Sequence, residues 1–359
     1  MTIKKFFILT INPGSTSTKI AIFKGEDKVL SETLSHPLEE LLSFEKVADQ
    51  FEYRKKTILE YLDQEKISMA DFDAVVGRGG LLKPVSGGTY LINETMLKDL
   101  QSGQYGEHAS DLGAMIAWHL AKPHSIPSYI VNPIVVDELD DIARISGMPE
   151  IPRRSIFHAL NQKAVAINYA ESQNKEYTQG RYIVVHLGGG ISVGAHQNGR
   201  VIDVNNALYG EGPFSPERSG AVPIHDVINM AYSGKYTQVE MHKKVVGKGG
   251  FIAYLGTNDA RNVVKSIEAG DKESELIYQA LAYQVAKEIG SAATVLKGQV
   301  DAIIITGGMA HDQSLISLIK ERINFIGQIE VMPGEKEMEA LADGARRVLL
   351  GKEQGKEYS

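Results

Sequence analysis

Ile8-Leu9-Thr10-Ile11-Asn12-Pro13-Gly14-Ser15-Thr16-Ser17-Thr18-Lys19-Ile20-Ala21-Ile22-Phe23 is the stretch on which the fold turns. An apolar run enters a glycine turn, and an alternating run leaves it towards a second, polar turn at Lys24-Gly25-Glu26-Asp27, the pattern of consecutive β-hairpins. The same unit recurs half a chain later. There Ile183-Val184-Val185-His186-Leu187 enters Gly188-Gly189-Gly190-Ile191-Ser192, and the exit strand reaches Gln197-Asn198-Gly199. Matching hairpins so far apart predict two domains with related cores. A third glycine turn, Gly307-Gly308, follows Ala302-Ile303-Ile304-Ile305, which reads as a fully buried strand of an α/β sheet. Apolar spacing of three and four predicts helices over Asn161–Tyr169, Glu275–Lys297 and Glu335–Leu350, and the polar tail Gly351–Ser359 is expected to fray.

Bulk properties agree with a two-domain α/β chain. The 359 residues exceed the roughly 250–300 at which single cores stop growing. A net charge of −7, with no dense Lys/Arg cluster, argues against a nucleic-acid surface. The absence of cysteine removes disulfides, thiolate nucleophiles, thiolate zinc sites and iron–sulfur clusters. The start, Lys4-Lys5 before Phe6-Phe7-Ile8-Leu9, imitates a signal peptide but breaks at Asn12-Pro13-Gly14 and reads as a buried strand. No apolar stretch approaches the ~20 residues of a spanning helix, so the expected location is the cytoplasm.

A Gly-Ser-Thr turn between strands lets backbone N–H groups converge on an anion. One isolated turn more often needs glycine only for its φ angles; three at strand ends point to a nucleotide cleft. No stretch fits G-x-x-x-x-G-K-[ST], and Gly188-Gly189-Gly190 lacks the third glycine of the dinucleotide fingerprint. An H-R-D or D-F-G set is also missing, against a protein-kinase fold.

Ile11–Lys19 resembles the first phosphate motif of the acetate and butyrate kinases. Further matches follow in family order along nearly the whole chain. Val76-Gly77-Arg78-Gly79-Gly80 and Glu217-Arg218-Ser219-Gly220 resemble the segments with catalytic arginines, and Ser155-Ile156-Phe157-His158 the segment with a catalytic histidine. His186-Leu187-Gly188-Gly189-Gly190 is similar to the second phosphate motif. Asn258-Asp259-Ala260-Arg261 and Thr306-Gly307-Gly308-Met309-Ala310 resemble the adenosine-contacting pieces. The resemblance implies an actin-like ATPase fold of the sugar kinase, Hsp70 and actin superfamily: two domains with duplicated βββαβαβα cores around a nucleotide cleft. The expected division is 1–150 with 338–359 for acid and phosphate, and 151–337 for nucleotide. Pro13, Pro84-Val85-Ser86-Gly87-Gly88-Thr89-Tyr90 and Tyr105-Gly106-Glu107-His108-Ala109 favour the butyrate-directed members.

An acid of pKa about 4–5 is ionised at neutral pH and needs no general base. It needs fixed cations, because phosphoryl transfer depends on positioning and on stabilising the equatorial oxygens. A guanidinium meets phosphate or carboxylate as a planar fork, so Arg78 and Arg218 are the expected clamps, although a lone arginine is by default a surface ion pair. The resemblance implies His158 and His186 as hydrogen-bond donors to the phosphoryl, with Asp137 orienting the site. It places His108 and Phe157 at the acid. Asn12, Gly14, Ser15, Thr16, Ser17, Lys19, Gly188, Gly189, Gly190, Asp259, Arg261, Gly307, Gly308 and Met309 are the implied nucleotide contacts. ATP is the expected co-substrate with Mg²⁺, which Asn12 and Glu337 would hold. Glu335 is the alternative to Glu337, and both acids would equally suit the first turn of the last helix.

Gly79-Gly80, where acetate kinases carry valines, are expected to leave room for a longer acyl chain; the plain alternative is a turn leading into Leu81-Leu82. Other expectations remain open: an acetate or propionate kinase, a hydroxyl-directed kinase of the same superfamily, or an actin- or Hsp70-like ATPase. The family implies a homo-oligomer, at least a dimer.

Overall fold

The computed structural model describes residues 4–359, which fall into two compact units. One comprises the chain up to Val136 together with Lys336–Ser359, the other Asp137–Glu335.

In the first unit β1 (Phe7–Pro13), β2 (Ser17–Lys24) and β3 (Asp27–Ser35) form an antiparallel meander. β1 is almost wholly buried, and it pairs in parallel with β4 (Ala74–Gly77). After β5 (Thr89–Leu91), β6 (Ser128–Val131) continues the sheet beside β4, so that β1 and β4 are central. Leu9, Ile11, Ile20 and Ile22 pack with Leu112 and Ile116 of the helix Asp111–Ala121.

The second unit repeats this plan. β7 (Arg181–Leu187), β8 (Ile191–Gln197) and β9 (Arg200–Val204) form the meander. β10 (Ala302–Gly307) and β11 (Ile329–Pro333) add in parallel on the far side of β7. The orders β6-β4-β1-β2-β3 and β11-β10-β7-β8-β9 correspond strand for strand. The repeat read from the two glycine hairpins is therefore a repeat of topology. Ile183, Val185 and Leu187 pack with Leu281, Val285 and Ile289 of the long helix Lys272–Val295, whose N-cap Asp271 accepts from the N–H of Glu273.

Two expectations need correction. The units divide at Val136/Asp137 and Glu335/Lys336, not at 150/151 and 337/338. Residues 137–150 are bound to the second unit by a buried Glu138–Lys163 ion pair (2.8 Å) and by the Asp140 N–H donating to Ile202 O (2.9 Å). The tail is not frayed. Lys356–Glu357 forms β12 beside β5, with Lys356 opposite Tyr90. Tyr358 is 3% exposed and donates its hydroxyl to Asp99 at 2.6 Å. A single buried tyrosine in a polar tail anchors it, a feature composition does not reveal.

Candidate functional site

The β1–β2 turn is held from beneath. Arg54, on the helix Phe51–Gln64, is fully buried and donates to Gly14 O (2.8 Å), Ser15 O (3.0 Å), Ser17 O (3.0 Å) and Thr18 Oγ1 (3.1 Å). Its other protons go to Gln50 Oε1. One guanidinium thus collects the carbonyls of the turn and fixes its shape. The Gly14 N–H is spent inside the turn on Ser17 O (2.7 Å), while Ser15, Thr16 and Lys19 are exposed. Sequence reading missed Arg54. Its signal is a charge in the apolar stripe with Ile58 and Leu62.

At the end of β1, Asn12 Nδ2 donates to Glu337 Oε2 at 2.7 Å, and the other carboxylate oxygen of Glu337 takes Arg78. Glu337 opens the helix Glu337–Leu349, whose N-terminal dipole favours the carboxylate. Among the described residues no three His, Cys, Asp or Glu side chains gather as a metal cluster. An amide oxygen and one carboxylate are nonetheless hard oxygen donors of the sparse kind that suits Mg²⁺, which keeps most of its waters. Glu335 belongs elsewhere: its carboxylate lies 3.2 Å from His186 Nε2 in the second unit.

The Arg78 loop is closely packed by backbone and side-chain atoms. A Cβ at Gly113 would lie 2.5 Å from Arg78 O, one at Gly79 2.6 Å from Pro133 Cβ, and one at Gly80 2.5 Å from Asp111 Cα. The expectation that Gly79-Gly80 leave space for an acyl chain is corrected here: the space beside both is filled. Asp111, also missed, accepts the Leu81 N–H (2.7 Å) and the His108 N–H (2.8 Å). Burial pushes its carboxyl up to about 6, against the lowering effect of those two hydrogen bonds. His108 shares its Nδ1 with Ser110 Oγ (2.8 Å). Loss of water and then the charge of Arg78 hold its pKa below the usual histidine value.

In the second unit the rings of His158 and His186 stack at 3.7 Å between centroids, 8° from parallel. His158 precedes the helix Ala159–Ser172, with Nδ1 2.9 Å from Ser192 Oγ on β8. In the β7–β8 turn the Gly188 N–H closes on Gly190 O (3.1 Å), and Gly189 O accepts from Ser215 Oγ (2.6 Å). The Arg218 guanidinium lies where a Gly190 side chain would stand, so that glycine admits an arginine. Arg218 donates to Ala207 O (2.7 Å), and its buried Nε has no hydrogen-bond partner among the described residues. Burial lowers its pKa, though a guanidinium stays charged.

A cavity of about 950 Å³ brings together Gly188, Gly189, Asp259, Arg261, Gly308 and Met309, six of the expected nucleotide contacts. Asp259 caps the helix Ala260–Glu268 and pairs with Arg261 (2.7 Å), which holds its carboxyl down to about 2. Gly190 and Gly307 do not line this cavity. Gly190 faces Arg218, and Gly307, at φ +94°, is pressed against the Leu187 backbone.

Residues 150–355 match the Acetokinase family. Butyrate kinase 2 of Clostridium acetobutylicum is 56% identical over 354 residues, 99% of each chain. The chain belongs to the acetokinase family. It is accordingly an enzyme of the carboxylate-kinase class. A probable butyrate kinase of Clostridium botulinum is 53% identical over 351 residues, 98% of this chain and 99% of its own. The crystal structure of Porphyromonas gingivalis acetate kinase matches with a TM-score of 0.79 over 96% of this chain and 100% of its own, at 18% identity; that likeness speaks for the actin-like fold alone.

Two further acetokinase expectations meet a different geometry. Phe157, expected at the acid, is 2% exposed. Asp137 accepts from Arg144 at 2.6 Å and from the Leu139 N–H at 3.3 Å. Among the described residues no helix is long and apolar enough to cross a membrane.

Proposed function

We propose that this acetokinase is a butyrate kinase, moving the γ-phosphoryl group of ATP reversibly to butyrate or a similar short-chain or branched fatty acid. The observation that carries the reading is the 56% identity, over 99% of both chains, to a protein named butyrate kinase 2. In the step, a carboxylate oxygen forms a bond to the γ-phosphorus as the bond to the bridging oxygen breaks, and ADP leaves; no proton is transferred. The demand is therefore for positive charge and hydrogen-bond donors rather than a base. Arg78 and Arg218 neutralise the acid and the equatorial oxygens, and His158 and His186 donate hydrogen bonds to the phosphoryl. His108, beside the charge of Arg78, contacts the acid. Asn12 and Glu337 would hold Mg²⁺, which would supply positive charge to neutralise the phosphates. The cavity holding Gly188, Asp259 and Gly308 takes the nucleotide.

Trapping of acyl phosphate with hydroxylamine, over acetate, propionate, butyrate, isobutyrate and valerate, tests this. Butyrate should exceed acetate by up to about fifteen-fold, the value of two buried methylenes at ~0.8 kcal/mol each. Equal or better activity on acetate would replace butyrate by acetate or propionate. The homo-oligomer is proposed on the helix Ile224–Ala231, which buries none of its residues and exposes Ile224 and Ile228; a 39.3 kDa particle by light scattering would refute it.

A further inference from the structure

Behind His158 the second unit buries a line of side chains that the transfer itself does not touch. Tyr177 Oη lies 2.8 Å from His196 Nδ1, and His196 Nε2 lies 3.0 Å from Gln162 Oε1. Gln162 Nε2 reaches both Ser192 O (3.1 Å) and Ser192 Oγ (2.7 Å), and Ser192 Oγ meets His158 Nδ1 at 2.9 Å. Gln162, Ser192 and His196 are all 0% exposed. β8 makes room for the line at Gly194, where a Cβ would lie 2.5 Å from Gln162 Oε1 and 3.1 Å from His196 Nε2.

The direction of each hydrogen bond follows from one atom. Ser192 O is a carbonyl and can only accept, so the amide nitrogen of Gln162 must face it and the amide oxygen must face His196. His196 therefore carries its proton on Nε2. Full burial, reinforced by the charge of Lys163, holds its pKa well below the usual value, so the ring is neutral and Nδ1 accepts from the Tyr177 hydroxyl. At the other end Ser192 Oγ already accepts from Gln162. Buried and with no other acceptor among the described residues, its own proton goes to His158 Nδ1.

We infer that the line Tyr177–His196–Gln162–Ser192 fixes neutral His158 as the tautomer protonated on Nε2, making Gln162 and Ser192 positioning residues for its hydrogen-bond donor. The inference rests on the proposed role of His158 as a donor to the phosphoryl. Gln162→Glu reverses the Ser192 end of the line at nearly constant shape: a carboxylate cannot donate to Ser192, whose hydroxyl then turns to it and accepts from His158 Nδ1–H instead. Ser192→Ala removes the selecting group.

The test is the ¹⁵N–¹H correlation spectrum of the His158 ring in the full chain, read with kinetics. Wild type should show the Nε2–H form. Gln162→Glu should shift it to Nδ1–H and Ser192→Ala to a mixture, with kcat down about ten- to hundredfold and KM for ATP within about twofold. An Nδ1–H signal in wild type, or an unmoved tautomer in both folded variants, overturns the inference. If the tautomer moves as described while kcat holds, the relay stands and the reading of His158 as phosphoryl donor fails.

Discussion

Asp111 is 5% exposed and yet carries a carboxyl that two backbone N–H groups, those of Leu81 and His108, use as their acceptor. Its folded pKa of about 6 lies above the roughly 3.9 of an unfolded aspartate. Ionisation therefore costs more in the folded state: its stabilising contribution is whole below about pH 4 and is lost as pH rises through about 6. Asp111→Asn should become more stable relative to wild type by about 2–3 kcal/mol between pH 4 and pH 7, read from urea midpoints at each pH; a gap independent of pH would refute the shift. Gly80 stands against the same residue. Gly80→Val should cost about 3 kcal/mol or more in stability, with no change in the butyrate-to-acetate activity ratio. A folded variant with a preference shifted towards acetate would restore the acyl-pocket reading.

At the scale of elements, the β1–β2 turn depends on a helix some 40 residues later in the chain. Arg54 satisfies the carbonyls of Gly14, Ser15 and Ser17, and no carboxylate is needed because carbonyl oxygens and Gln50 saturate its donors. Arg54→Met leaves those buried acceptors without partners, an expected loss of about 3–5 kcal/mol. In any folded fraction KM for ATP should rise severalfold with the acid KM unchanged, as initial rates on both substrates would report. Equal effects on both KM values would remove the link between Arg54 and the nucleotide. The turn itself was legible from its glycine and hydroxyl residues. Its support was not, because an arginine in a helical stripe carries no mark of what it will touch.

For the molecule as a whole, each unit contributes one of the two proposed clamps: Arg78 follows β4 in the first, and Arg218 lies against the β7–β8 turn in the second. Arg78→Ala and Arg218→Ala should each lower kcat by about 10³–10⁵, or roughly 4–7 kcal/mol of barrier. Calorimetry on Arg78→Ala should still show ADP binding, since the cavity lined by Asp259 and Gly308 lies wholly in the second unit. Near-normal kcat in either variant would refute the role of that arginine. The acetokinase family was legible from motifs in order along the chain. The 136/137 division was not, because it rests on the Glu138–Lys163 pair and the Asp140–Ile202 hydrogen bond, contacts between residues far apart in sequence.

The sequence by itself determined the two glycine hairpins, the buried parallel strand before Gly307 and the family, since each depends on local periodicity or on short motifs read in register. Only the tertiary structure decided that Glu337 rather than Glu335 meets Asn12, that Asp111 fills the space beside Gly80, and that Tyr358 anchors the tail. It also decided that Tyr177, His196, Gln162 and Ser192 line up behind His158. Those outcomes turn on which polar atoms meet once the backbone has closed, and a buried donor must find its acceptor wherever the fold brings one.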